Sequence, residues 1–302
     1  MEHRRLGRTD LSVSSIGMGC VTFGREIGRD ESFLVLDRAL ERGITLYDTA
    51  EAYGEGSSEE VLGAWIADRG VRDRIVLATK VHGTLTRERV ICSAQESLRR
   101  LRTDHIDLFQ VHNWDAATPL EETLSGLDTL MRRGQVRWIG CSNLAAWQVC
   151  KSLWRQDVLG LARLESVQPI YNLVHRDIEE ELLPLCADQQ LGVMTYSPLG
   201  AGFLSGKYRR GEAVPGGSRF DIKPGHQSIY FTDSGFRIME GLRALAVEAG
   251  VPMPALALAW VMKRAGITSV LIGARSVGQV DQAFEAEALR ISQSVSARLD
   301  AL

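Results

Sequence analysis

Eight short apolar runs, each bounded by turn residues, recur along this chain with helix-like segments between them. They cover Ser15–Cys20, Ile44–Asp48, Ile75–Lys80, Ile106–His112, Val136–Ser142, Ser166–Pro169, Gly192–Tyr196 and Ser269–Ile272. The intervening segments have helical periodicity. Ser32–Arg42 places Phe33, Leu36, Ala39 and Leu40 on one face, and Glu88–Leu101 does the same with Val90, Ile91, Ala94, Leu98 and Leu101. Ser57 or Ser58, Thr86, and Thr118-Pro119 stand where helices should begin, and Gly43, Gly70 and Gly134 where helices should stop. Eight strands alternating with helices in 302 residues predict an α/β fold of the (β/α)8 TIM-barrel type. The competing open doubly wound sheet would announce itself with G-x-G-x-x-G after the first strand. The chain has GMGCVTFG there, which does not match.

No linker rich in Ser, Gly or Pro divides the chain, so residues 1–302 read as a single barrel domain. Met1–Val13 precedes the barrel, and its LGRTD suits a hairpin turn that caps the floor. Arg209–Gly235, with five glycines and two prolines, is a long irregular connection after the seventh strand, on the side where barrel active sites form.

Composition narrows the partners. The chain is 45% hydrophobic and 24% charged with a net charge of −3, which describes a soluble globular protein without a polyanion-binding surface. Nucleic acid is therefore not an expected partner. The start, MEHRRLGRTDLSV, has no apolar core of a secretory signal. The longest strongly apolar stretch, Val251–Met262, has 12 residues and two prolines, too short to cross a bilayer. The five cysteines are odd in number and form no C-x-x-C, which reads as reduced, buried thiols of a cytoplasmic protein. The six histidines lack H-x-x-x-H and H-E-x-x-H spacing, so no zinc site is expected.

Three of the strands end in ionisable residues: Asp48, Lys80 and His112, with Tyr53 five positions beyond Asp48. In a parallel barrel all strand C-termini share one mouth, so the four converge there. Taken singly, the aspartate is a turn cap, the tyrosine a loop residue and the histidine a core residue. A lysine ending a buried strand, however, needs a partner. Together they form a proton-transfer set. A phenol ordinarily titrates near 10, and a neighbouring ammonium favours the phenolate and is expected to lower that value. Asp48 would keep Lys80 charged, Lys80 would tune Tyr53 as a proton donor, and His112 would orient a carbonyl or share the proton. None of these groups supplies electrons, so the set needs a hydride source.

With these residues in place, the chain resembles the aldo-keto reductases over nearly its full length. DTAEAYGEGSSEEVLG, TKVHG, VHNWD, GCSN, QPIYN, YSPLGAGFLSGKY and LIGARSVGQV follow in that family's order. The resemblance implies a catalytic tetrad of Asp48, Tyr53, Lys80 and His112. It also implies NADPH-dependent reduction of an aldehyde or ketone, with NADH as a possible substitute. Hydride would pass from the nicotinamide to the carbonyl carbon while Tyr53 protonates the oxygen.

By the same resemblance Gly19, Cys20 and Asp48 lie beside the cofactor. Ser142, Asn143 and Gln168 hold its carboxamide, Tyr196 stacks on its ring, and Ser197, Pro198, Leu199 and Gly200 cradle its pyrophosphate. Lys207, Arg219, Gly273, Arg275, Gln279 and Gln282 meet its phosphates and adenosine. Two positions depart from the family pattern: Gln279 stands where many members have arginine and Ala283 where asparagine is common, which bears on NADP over NAD. GAGFLSGKY is no P-loop, because the spacing is absent and Tyr208 replaces Ser/Thr. Phe23, Tyr53, His112, Trp114 and the 209–235 loop are expected to surround a small carbonyl substrate.

The chain also resembles potassium-channel β subunits, which implies an alternative as an NADPH-binding regulatory subunit with little turnover. Those subunits carry asparagine where this chain has His112, and have a long N-terminal extension. This chain also ends soon after its eighth helix, without a long C-terminal substrate loop. A phosphate-binding isomerase on the same barrel would need a catalytic glutamate on a strand end, which is not evident.

Overall fold

The computed structural model describes residues 1–302, the side chain of His226 excepted. A hairpin of β1 (His3–Arg5) and β2 (Ser12–Ser14) opens the chain. Eight parallel strands then close into a barrel: β3 (Ile16–Gly19), β4 (Leu46–Asp48), β5 (Val76–Val81), β6 (Ile106–Val111), β7 (Val136–Ser142), β8 (Leu164–Gln168), β9 (Gly192–Thr195) and β10 (Ser269–Gly273). Each follows its neighbour in sequence, and β10 pairs back on β3 with Gly273 opposite Gly19. These are the eight apolar runs of the sequence, with ends shifted by at most two residues.

The barrel has two apolar regions. Its outer face packs on the helices in one continuous core. Its floor is a separate cluster in which Leu6, Leu11 and Val13 of the hairpin meet Leu46, Ala78, Leu108, Met194 and Leu271 from the strands. The hairpin therefore plugs the barrel at the strands' N-terminal ends, as its LGRTD turn suggests. Gly7 in that turn has φ +58, and a Cβ there would lie 2.4 Å from the Glu165 carbonyl oxygen.

The helices follow the predicted pattern with two corrections at their starts. α1 (Arg29–Glu41) and α3 (Arg87–Leu101) match their amphipathic segments, and Thr86 accepts from the Arg89 amide as the N-cap of α3. α2 (Ser57–Arg69) has Gly56 as its N-cap rather than a serine. Ser57 instead donates to the Gly54 carbonyl and Ser58 to the Cys20 carbonyl, so these hydroxyls brace the loops beside the mouth. α4 (Leu120–Arg132) has Pro119 as its N-cap, because the Thr118 hydroxyl is held by Asp115 at 2.5 Å. Gly70 caps α2 in the left-handed region, and Gly43 and Gly134 follow α1 and α4 with φ of +89 and +70.

The remaining helices are α5 (Ala146–Leu159), α6 (Leu182–Gln189), α7 (Arg219–Ile222), α8 (Gln227–Tyr230), α9 (Asp233–Ala249), α10 (Met253–Met262), α11 (Val277–Ala288) and α12 (Gln293–Asp300). The long connection expected over Arg209–Gly235 is not irregular throughout, for it contains α7 and α8. It is fastened by a cluster of aromatic rings: Phe203, Tyr208, Phe220, Tyr230, Phe231 and Phe236, with centroids such as Tyr208–Phe220 5.0 Å apart. The apolar Val251–Met262 stretch forms the largely buried α10, and no single helix is long and apolar enough to cross a membrane. The thiols depart from expectation. Cys20, Cys141 and Cys186 are buried, but Cys92 and Cys150 are exposed on helices.

Replacing Gly7 by alanine forces a side chain into a left-handed turn and against the Glu165 carbonyl. The expected loss is on the order of 2 kcal/mol, read as a lower urea midpoint with an unchanged slope. An unmoved midpoint would show that the floor plug contributes nothing to barrel stability.

Candidate active site

The ends of β4, β5 and β6 and the turn after β4 bring the four ionisable residues together. Asp48 is the last residue of β4, and its strand neighbours are Gly19 on β3 and Ala78 on β5. Lys80 lies near the end of β5 beside Gln110 of β6. Tyr53 opens a tight turn in which Gly54, Glu55 and Gly56 all have positive φ, of +57, +56 and +96. Two glycines make that reversal cheap, while Glu55 adopts a conformation that side chains disfavour.

The Lys80 ammonium is fully buried. It donates to Asp48 Oδ2 at 2.5 Å, to the Thr49 carbonyl at 2.8 Å and to Tyr53 Oη at 3.4 Å. His112 follows β6 and sets its ring edge-on to Tyr53, with centroids 5.7 Å apart. Its Nδ1 is buried with no hydrogen-bond partner among the described residues.

The electrostatics correct one expectation. The Tyr53 phenol is not lowered: burial raises its pKa above the ordinary value, and the pull of the Lys80 ammonium does not overcome that. The Asp48 carboxylate beside the ammonium opposes that pull as well. Burial alone would push Lys80 down, but Asp48 and then Tyr53 outweigh it and hold its pKa above that of a free lysine. Burial, Lys80 and His82 push His112 down to about 3, so its imidazole is neutral near neutral pH.

Residues that sequence reasoning missed complete this site. Asp48 Oδ1 accepts from Gln168 at 2.8 Å and from Gln110 at 3.3 Å. The Gln168 amide nitrogen, predicted to face a carboxamide, is thus turned to Asp48. Gln110 alternates with apolar neighbours in LFQVH, and a polar side chain at that interior position of a buried strand was the available signal. Glu51 is a hub. Oε1 accepts from the His82 amide and Arg89, and Oε2 accepts from the Ser93 hydroxyl, each at 2.6 Å. His82 sets its ring edge-on to His112 at 5.5 Å, and its Nδ1 is 3.4 Å from the Asn113 amide nitrogen.

The predicted substrate walls are only partly here. The rings beside His112 are those of Tyr53 and His82. Trp114 lies half-buried in a crevice with Leu120, Leu124 and Leu144, its ring 5.7 Å from Trp147. Phe23 is fully buried in the core and offers no surface to the mouth. Cys20 is likewise fully buried, and its carbonyl is occupied by Ser58.

A second set of features lies at the ends of β7 to β10. Ser142 donates to the Gln168 carbonyl at 2.7 Å. Asn143, at φ +58, donates to the His112 carbonyl and accepts from the Tyr196 hydroxyl at 2.8 Å. Tyr196 is partly exposed, and burial pushes its phenol up to about 12. In the 197–202 loop, Ser197, Gly200, Ala201 and Gly202 have φ of +54, +57, +56 and +89. Pro198 and Leu199 complete this loop. Left-handed residues in such a run turn backbone N–H groups to one side and suit an anion, and strain of this kind at non-glycine residues marks functional loops.

The Lys207 ammonium sits against the loop, 3.3 Å from where a Gly202 Cβ would be. Arg219 donates to Glu26 at 2.7 Å across the mouth. Arg275 reaches the Gly217 carbonyl at 3.4 Å, while its own amide donates to Gln279. Lys207 and Arg275 have no carboxylate partner among the described residues. Gly273 and Gln282 are exposed nearby in sequence. A phosphorylated ligand could be held by the strained loop, Lys207 and Arg275, and by Arg219 if it exchanged Glu26 for phosphate. Gln279 is engaged in a local turn, which sequence spacing could not reveal.

A model of the Aldo/keto reductase family matches residues 15–302. The chain is 33% identical to the uncharacterized oxidoreductase YrpG of Bacillus subtilis (strain 168), over 98% of this chain and 94% of that protein. It is 33% identical to a probable voltage-gated potassium channel subunit beta of Arabidopsis thaliana, over 95% of this chain and 91% of that one. It is also 33% identical to the aldo-keto reductase YhdN of Bacillus subtilis (strain 168), over 94% and 88% of the two chains. With a closed eight-stranded parallel barrel, a family model matched over residues 15–302 and these relatives, the chain belongs to the aldo/keto reductase family.

Proposed function

We propose that this protein is an NADPH-dependent carbonyl reductase in which Tyr53 donates the proton to the forming alcohol. The observation that carries the reading is the phenol held 3.4 Å from a fully buried ammonium that is itself paired with Asp48. Held by the β7 to β10 loops, NADPH would supply the hydride. Tyr53, kept protonated by burial, is the donor at neutral pH. As its proton leaves, the phenolate comes to rest beside Lys80, which needs no rearrangement to stabilise it. Asp48 keeps that ammonium charged, and Gln168 and Gln110 hold the Asp48 carboxylate in place through its second oxygen. The neutral His112 can share a hydrogen bond with the substrate oxygen without competing for the proton.

Similarity to the plant potassium-channel subunit supports a second reading, a nucleotide-binding regulatory subunit. A histidine rather than an asparagine at position 112 favours turnover.

Tyr53→Phe is expected to lower kcat by about a hundredfold or more while the NADPH dissociation constant, from nicotinamide fluorescence, stays within about threefold. Retention of half the wild-type kcat would remove Tyr53 from the donor role.

His112 carries a pH signature. Unfolded, it takes up a proton near its ordinary 6.5; folded, it resists down to about 3. The unfolded state therefore binds more protons in that window, and stability is lost as pH falls through it. His112→Gln should flatten the urea midpoint between those two pH values. The kcat/KM profile should show no imidazole ionisation between about pH 5 and 8. A His112-dependent step in that range would contradict a neutral imidazole.

Arg275→Ala should weaken NADPH by about tenfold and NADH far less. Equal loss for both would show that Arg275 does not meet the 2′-phosphate.

A further inference from the structure

We infer that the substrate side of the mouth selects small hydroxylated carbonyl compounds, with His82 and Asn113 as the specificity-determining pair. This inference rests on the carbonyl-reductase reading above and names its substrate class. Three rings stand in sequence at the ends of β4 to β6. Tyr53 is edge-on to His112 at 5.7 Å, and His112 is edge-on to His82 at 5.5 Å. A carbonyl oxygen placed at Tyr53 and His112 directs the adjoining substituent toward His82.

That side presents polar atoms. The His82 backbone is pinned by Glu51 at 2.6 Å, so its ring has a fixed origin. Nδ1 of that ring meets the Asn113 amide nitrogen at 3.4 Å, leaving Nε2 and the amide oxygen for a ligand. Among the exposed side chains of the loops after β5 and β6, His82, Thr84 and Asn113 carry polar groups, and Ala116 and Ala117 are small. The rings that meet His112 edge-on are those of Tyr53 and His82. Phe23 is fully buried, and Trp114 is engaged with Trp147 in the crevice toward α4. Among the described residues, none of the large exposed hydrophobics comes from the loops after β4, β5 or β6.

An apolar substituent here would strip water from an imidazole and an amide without replacing its hydrogen bonds, whereas a hydroxyl one carbon from the carbonyl replaces them. Neither group takes part in proton or hydride transfer, so their effect is on discrimination between substrates rather than on chemistry.

The test compares isosteric pairs in which a hydroxyl replaces a methyl: glycolaldehyde with propanal, and dihydroxyacetone with 3-pentanone. Rates are measured with NADPH at equal free carbonyl. Wild type should favour the hydroxylated partner by about tenfold in kcat/KM. His82→Phe, which keeps an aromatic edge against His112, should erase that preference by lowering the hydroxylated value about tenfold. The apolar value should fall by much less than the hydroxylated one. His82→Gln, which still hydrogen-bonds, should keep most of the preference. Wild-type preference for propanal and 3-pentanone, or an equal fall on both partners in His82→Phe, overturns the inference while leaving the reductase reading intact. A wild-type protein that reduces none of the four but reduces larger aldehydes or ketones with NADPH overturns the inference alone, and one that binds NADPH and reduces no aldehyde or ketone of such a wider panel overturns the reductase reading with it.

Discussion

The active site of this barrel depends on one buried ion pair. The Lys80 ammonium has no solvent exposure, and its charge is sustained by Asp48 at 2.5 Å. Two charges taken from water repay their desolvation only when the remaining hydrogen-bonding positions are filled, and removing one partner of such a pair typically costs about 3–5 kcal/mol. The surroundings follow from that requirement. The Thr49 carbonyl and Tyr53 hydroxyl take up the remaining ammonium donors, and Gln168 and Gln110 fill the second oxygen of Asp48. Strands β4, β5, β6 and β8 each contribute to this network, so barrel closure and the protonation state of the site are set together.

The same pair changes the role of Lys80. A lone ammonium beside a phenol would depress it strongly. Here the ammonium is already neutralised by Asp48, and burial keeps the phenol protonated. In the proposed reaction Tyr53 would be a donor at rest whose conjugate base has a cation waiting. The ammonium therefore acts most strongly as phenolate charge develops, which is where stabilisation accelerates a reaction.

Much of this was legible in the sequence, and the gaps have physical causes. The barrel was readable because each strand is a short apolar run, α1 and α3 carry a helical period, and glycines stop α1, α2 and α4, so local and global signals agree. Asp48, Lys80, Tyr53 and His112 were readable because parallel topology converts strand ends into spatial neighbours. The cap of α2 was misassigned because Ser58 has a tertiary partner in the Cys20 carbonyl, and of the Thr118-Pro119 pair only Pro119 caps α4, since Asp115 holds the Thr118 hydroxyl locally. Gln168 and Gln279 could not be placed from spacing, since their partners lie at Asp48 and in the local turn at Arg275. Phe23 was taken for a mouth residue on its chemistry, but it is fully buried, because the direction of a side chain leaving a strand end depends on the loop's backbone. The net direction of the Tyr53 shift needed burial, which sequence does not supply.

The mouth divides into two halves of different chemistry. The β7 to β10 side has a left-handed backbone run from Ser197 to Gly202, with Lys207 against it, and cations at Arg219 and Arg275. The β4 to β6 side has imidazoles, an amide and the Tyr53 phenol. The first half offers fixed positive charge, and the second offers hydrogen-bonding groups. Asn143 joins the halves, because it holds the His112 carbonyl with one end of its amide and the Tyr196 hydroxyl with the other. Its left-handed backbone, at φ +58, is strain at the seam between the two halves, and it fixes how far His112 stands from the ring of Tyr196.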